Sequence, residues 1–209
     1  MRRARAEPEQ GATGARKSDA SRGQILSVAA RLFRDQGYAA TTLRQIAAAA
    51  DMKAGSIYYH FASKDELLDD ILDKGLRRVF EAVEAAAKLQ ESDAGHRGRI
   101  ERAIEAHLVA LLEESDYTSA NIRVYGQLPE AIKRRHRRLR QHYGEFWDDL
   151  FIVARDAGEI RSDIKIKPLR MFVLGALNWT VEWFDGDRFP VRELAKRTSL
   201  LIFDGIERR

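Results

Sequence analysis

Cysteine is absent from the 209-residue chain, which excludes a disulfide framework, a thiolate metal site and a cysteine nucleophile together. Long apolar runs are absent as well, since nothing approaches the roughly 20 residues that a bilayer-spanning helix needs. The positively charged opening MRRARAEPEQGATGAR has no apolar segment behind it to act as an export signal. A soluble, cytoplasmic protein without a membrane partner is the expectation. Histidine is sparse, at five residues, and poorly spaced for a metal. No Glu lies at metalloprotease spacing, and His136 and His142, six apart, fall on different faces of a helix. No catalytic constellation, metal site or cofactor is therefore expected, and the chain does not read as an enzyme.

What is present is a globular composition with polarised charge. Hydrophobic residues make up 44% of the chain, enough to build a core in one large or two small domains. Through Lys64 there are eleven Lys and Arg against five Asp and Glu, a balance of +6, so residues 65–209 carry −2 of the total of +4. The positive excess is confined to the first third, which points to a polyanion as the partner of that third alone.

That third contains TTLRQIAAAADMKAGSIYYHFASK, Thr41–Lys64. Thr42 precedes LRQIAAAA with Gln45 three residues on, the pattern of a capping box, so a helix begins near Leu43. Asp51 interrupts the alanine run and tolerates the left-handed backbone that a sharp turn requires. A second short helix is predicted from about Lys53 to His60, and Ser63 with Glu66 forms another capping box that opens a long third one. Upstream, Ile25, Leu26, Ala29, Ala30, Leu32 and Phe33 share one face of a helix stopped by Gly37, which gives the short helices something to pack on. Helix, turn and helix in this order is a DNA-reading geometry. The chain divides into a disordered basic arm over residues 1–19, a helix-turn-helix domain over 20–64, and the remainder over 65–209.

The remainder is helical throughout. A long helix from Lys64 carries Leu67, Leu68, Ile71, Leu72, Leu76 and Val79 at three-and-four spacing. Pro129, Pro168 and Pro190 each stand at a predicted first helical position. The segment PLRMFVLGALNWTVEWF is apolar almost all round, so it must be buried on more than one side, and a two-fold four-helix contact with the last helix would bury the surplus.

From Arg22 to about Leu72 the chain resembles the tetracycline-repressor (TetR) family of bacterial one-component regulators; beyond that the resemblance rests on helix count and order. It implies an all-α, nine-helix protomer with an N-terminal three-helix DNA-binding domain and a C-terminal helical domain for ligand binding and dimerisation. It further implies a homodimer through the last two helices, a double-stranded operator, and a small-molecule effector that releases repression. Asp51 stands where the family often has Gly, and Lys53 where many members have a capping Ser or Thr. Within the motif, Ile57 and Phe61 face the core, which turns Lys53, Gly55, Ser56, Tyr59 and His60 towards the groove. Arg44 is the candidate for guanine, with Tyr59 and Ser56 for base edges. Thr42, Tyr58, His60 and Lys64 are candidates for phosphates, and Gly55 for close backbone approach.

In the C-terminal domain the candidate ligand residues are His107, Leu111, Tyr125, Phe146, Leu150, Asn178, Trp179 and Glu182. His107 reads first as a core histidine with one hydrogen bond; Asn178 and Glu182, one turn apart, either line a pocket or pair across the dimer. The run KRRHRRLR, Lys133–Arg140, reads first as a solvated face and second as a phosphate site. GALNWTVEWFDG is similar to TetR regulators of fatty-acid and steroid breakdown that respond to CoA thioesters, which would place an acyl chain against Leu111, Tyr125, Phe146 and Trp179. A helical lipid carrier or enzyme with a reader-like first domain, and an effector-independent DNA-binding protein, stay open as alternatives.

Overall fold

The computed structural model describes residues 10–89, 95–113 and 116–204, with side chains from Ser18 onward. These residues form nine α-helices and no strand, as the apolar periodicity predicts. In chain order they are α1 (Gln10–Gln36), α2 (Leu43–Ala49), α3 (Ala54–His60), α4 (Lys64–Lys88), α5 (Gly95–Leu112), α6 (Asp116–Tyr125), α7 (Glu130–Asp156), α8 (Ile166–Trp179) and α9 (Val191–Asp204). A 3-10 turn over Thr180–Glu182 prolongs α8.

The chain stops and starts where its local chemistry dictates. Gly37 closes α1 at φ 82°, its N–H donating to Phe33 O. Gly158 at φ 80° does the same after α7. Such dihedrals carry a Cβ penalty that only glycine escapes. Boundaries differ from expectation at several points, and Pro129 and Pro190 stand just before the first residues of α7 and α9 rather than at them. Residues 10–19 belong to α1 and not to an arm, because Ala12, Ala15, Arg16 and Lys17 are good helix formers continuing a helix already nucleated by the packed Ile25 face; residues 1–9 lie outside the described residues. Pro168 is the third residue of α8, not the first. The first four N–H groups of a helix have no intrahelical acceptor, so the missing donor is harmless there.

Two apolar cores share one helix. The first gathers Ile25, Phe33, Ile46, Ile57 and Phe61 around Leu67–Leu72 of α4, and Ala120, Val124 and Ile132 from α6 and α7 close it. The second runs from Leu76 of α4 through Trp147 and Phe151 of α7 to Leu194 of α9. The border between them therefore falls inside α4, between Leu72 and Leu76, and not at the residue 64 boundary suggested by the motif. Among the described residues no helix is long and apolar enough to cross a membrane.

Candidate functional site

The reading face is built by two caps and a turn. Thr42 Oγ1 accepts from Gln45 N at 3.2 Å while Thr42 N donates to Gln45 Oε1 at 2.8 Å, the complete capping box at the start of α2. Asp51 takes φ 55° in the turn, and Gln24 Nε2 braces that turn through Ala50 O at 2.9 Å. Ile57 and Phe61 are fully buried, with the Arg22 guanidinium 4.7 Å above the Phe61 ring. The opposite face of α3 is bare. Tyr58 is 61% and Tyr59 80% exposed, and Lys53, Gly55 and Ser56 are exposed with them. His60 is half-buried, its ring edge-on to Tyr59 at 5.0 Å. Arg44 and Thr42 are exposed on α2, and neither Arg44 nor Lys53 has an ion-pair partner among the described residues.

The junction into α4 differs in detail from expectation. Ser63 Oγ accepts from Glu66 N at 3.1 Å, but the Glu66 carboxylate reaches Ala62 N and not Ser63 N. Lys64 is half-buried and donates to Tyr38 O and Thr41 O, both at 2.9 Å, with its ammonium 4.1 Å from the Tyr38 ring centroid. Two of its three N–H donors thus clasp the loop between α1 and α2. Nothing in the sequence around Lys64 signals this clasp, because its acceptors are backbone carbonyls 23 and 26 residues away.

From Gly75 onward, α4 forms one wall of a cavity of about 390 Å³. Leu76 and Val79 supply its apolar side, α6 contributes Thr118 and Asn121, and α8 closes it with Met171, Leu174, Gly175 and Asn178. Backbone contacts set the shape. A Cβ on Gly75 would lie 2.4 Å from Tyr117 O, so only glycine lets α6 sit this close to α4. Thr118 Oγ1 and Asn121 Nδ2 add hydrogen bonds to Gly75 O and Leu72 O at 3.2 and 2.7 Å.

Two buried polar groups, His107 and Tyr143, meet the half-buried Asn178 in the cavity lining. His107 Nε2 lies 3.1 Å from Asn178 Oδ1 and Nδ1 lies 2.7 Å from Tyr143 Oη. An amide oxygen only accepts, so Nε2 carries the proton, and the Tyr143 hydroxyl donates to Nδ1. Burial pushes the His107 pKa down to about 4, against the opposing hydrogen bond to Asn178, so the ring is neutral at physiological pH. Burial also raises the Tyr143 phenol well above its ordinary value. His107 is therefore a core histidine with two hydrogen bonds that also lines the cavity.

Two guanidiniums complete the lining. Arg170 donates Nε to Asp148 Oδ1 at 2.8 Å, in a notch where a Cβ on Gly144 would come within 2.5 Å of Arg170 Nη1. Arg140 lies over the Tyr125 ring, 3.3 Å from its centroid, and donates Nη2 to Asn121 Oδ1. Burial lowers its pKa to about 10, and its Nε is buried without an acceptor.

The periodicity of α8 explains which candidates reach the cavity. Val173, Leu177 and Thr180 are core; Met171, Leu174, Gly175 and Asn178 form the cavity face; Phe172, Trp179 and Trp183 stand 74%, 66% and 52% exposed on a third face. Of the eight candidate ligand residues, only His107 and Asn178 line the cavity. Trp179 is turned outward by one helical position. Glu182 instead pairs with Arg123 at 3.1 Å, Phe146 packs on Phe80 at 5.5 Å, Leu111 and Leu150 are core, and Tyr125 sits behind Arg140. The basic run resolves similarly. Arg135 and His136 hold Asp69 at 2.8 and 2.9 Å, Arg137 pairs with Glu130, Lys133 donates to Gly126 O, and only Arg140 enters the cavity.

A second link joins the two regions. Arg123 of α6 donates Nη1 to Arg34 O at the end of α1, at 3.1 Å, and Nη2 to Val181 O in the 3-10 turn, at 2.7 Å. Arg34 itself pairs with Asp116. Among the described residues no cluster of three or more His, Asp or Glu is placed to hold a metal.

An exposed helix-turn-helix face joined by one helix to a cavity-bearing helical domain defines a one-component DNA-binding regulator. The profile of bacterial regulatory proteins of the tetR family matches residues 25–71, and the tetracyclin repressor-like C-terminal domain matches residues 93–206. The chain belongs to the TetR family, whose members are transcriptional regulators and not enzymes. It is 29% identical over 192 residues to the transcriptional repressor KstR2 of Rhodococcus jostii (strain RHA1), covering 88% of this chain and 90% of that one. The structure of PfmR from Thermus thermophilus superposes with a TM-score of 0.76 at 27% identity, over 88% of this chain and 99% of PfmR. AibR, solved with isovaleryl coenzyme A and operator DNA, shares the fold at a TM-score of 0.78 and 24% identity, over 88% and 98% of the two chains.

Proposed function

We propose that the chain is a cytoplasmic transcriptional repressor that reads a palindromic operator as a homodimer and leaves it when a small molecule fills the cavity. The observation that carries this reading is the double attachment of α4. Its first residue, Lys64, clasps the reading domain, and its Gly75, Leu76 and Val79 line the cavity. A ligand that spreads α4 from α6 therefore displaces the helices that face DNA. Two α3 helices fit successive major grooves only about 34 to 36 Å apart, and the ligand need only prefer the dimer in which they do not.

In this reading Arg44 takes a guanine, Ser56 and Tyr59 touch base edges, and Lys53, Thr42, Tyr58, His60 and the remaining N–H of Lys64 meet phosphates. Gly55 lets the backbone approach. Phe172 and Trp179 on α8, Trp183 just past the 3-10 turn, and Leu200 and Leu201 on α9 are the apolar surface that a second copy covers. An acyl thioester is a fitting effector class, since the fold holds isovaleryl coenzyme A in AibR and the repressor KstR2 is a relative across most of both chains. Selection of bound duplexes from a random pool, repeated with acyl-CoAs, tests all of this. A palindrome lost from the bound pool with one compound is the expected result; unrelated duplexes retained regardless of salt would overturn the reader.

A further inference from the structure

The cavity contains one charge that the protein leaves unanswered. Arg170 has Asp148 as its counter-ion, and His107 is neutral. Arg140 has only the neutral Asn121 amide and the Tyr125 ring, its Nε meets no acceptor, and no carboxylate lines the cavity. Arg140 is half-buried with its Nε shut off from solvent, and a partly desolvated cation without a paired anion is costly to maintain, so folded proteins ordinarily pair such groups. The Tyr125 ring and the Asn121 amide hold the guanidinium in place without neutralising it, the arrangement that an anion-binding site requires.

We infer that the cavity takes an anionic amphiphile whose charged group seats on Arg140 while its apolar body lies along Leu76, Val79 and Leu174. This rests on the effector reading and narrows it to a ligand class. Gly144 serves the same end, because it lets the Arg170 guanidinium withdraw onto Asp148 and leaves Arg140 as the unneutralised cation. A carboxylate and a coenzyme A phosphate offer the same chemistry, and paired probes separate them.

The full chain is titrated calorimetrically with straight-chain acids from hexanoate to dodecanoate, with the matching primary amides, and with the matching CoA thioesters. At least one charged series should bind about tenfold or more tightly than the amides of equal length, the ratio expected when a charge-assisted hydrogen bond replaces a neutral one. Preference for the free acids assigns a carboxylate to Arg140, and preference for the thioesters assigns a phosphate. Arg140→Met should abolish the preference for the charged series over the amides, and Arg140→Lys, which keeps the charge, should retain part of it; a preference undiminished in a folded Arg140→Met overturns the assignment. Equal affinity for acids, thioesters and amides, or no binding by either charged series at millimolar concentration, overturns the inference. Release of selected operator DNA is read in parallel. Release by amides at the same concentrations as the charged series sinks the anion subsite but leaves the effector reading standing. Preferential binding of a charged series without release does the reverse.

Discussion

The reading domain and the cavity domain use their polar side chains in opposite ways. In the first, the candidate reading residues point outward from a closed apolar core, so Tyr59 and Arg44 make few packing contacts and Ile57 is shut away from solvent. In the second, His107, Tyr143, Asn178 and Arg140 are at once lining and packing, and a change in one is felt as both binding and stability. The difference shows that specificity can be altered freely in the reading domain, whereas in the cavity it is tied to the integrity of the core.

The strongest test of that contrast is pH. His107 titrates near 6.5 when unfolded and at about 4 when folded. The unfolded chain therefore binds the proton first, so stability is intact above pH 6.5 and falls as the pH drops to 4, by about 3 kcal/mol in total. Urea unfolding across that window should show the loss in the wild type and a flatter profile in His107→Gln; parallel profiles would mean that the imidazole is not the source. Next, Gly75→Ala forces a Cβ against Tyr117 O and should cost about 1 to 3 kcal/mol, with effector affinity falling alongside. A stable variant with normal ligand binding would break the proposed tie between cavity shape and core.

The reading domain should behave otherwise. Arg44→Ala should weaken binding by about 1 to 3 kcal/mol at a single operator position while the urea midpoint stays put. A loss spread evenly over all sequences would reassign Arg44 to a phosphate. The smallest effect is Thr42→Ala, which removes one half of a capping box and should lower stability by about 1 kcal/mol, with the base preference of the selected operator preserved.

The same contrast governs what can be read from residues alone. Capping pairs, the Asp51 turn and the inward phase of Ile57 and Phe61 are local, so periodicity and spacing reveal which face of α3 is exposed almost completely. The cavity is made by elements far apart in sequence, and its lining residues are indistinguishable by type from core. Asn178 and Trp179 are neighbours, yet one faces the cavity and the other the outside; a phase shift of one residue on a helix apolar all round leaves no trace in hydropathy. Arg140 lies within a run of basic residues whose other members are solvated or paired, and only the fold separates it from them. A glycine in the middle of α4 is the one local signal that another backbone comes close there.

Arg123 touches neither the cavity nor the reading face, yet it ties the end of α1 to the turn that follows Asn178. In a genetic selection for regulators deaf to their signal, alleles at this position should therefore emerge beside those of the binding pocket. They would still capture ligand and still occupy the operator, and would have lost only the conversation between the two.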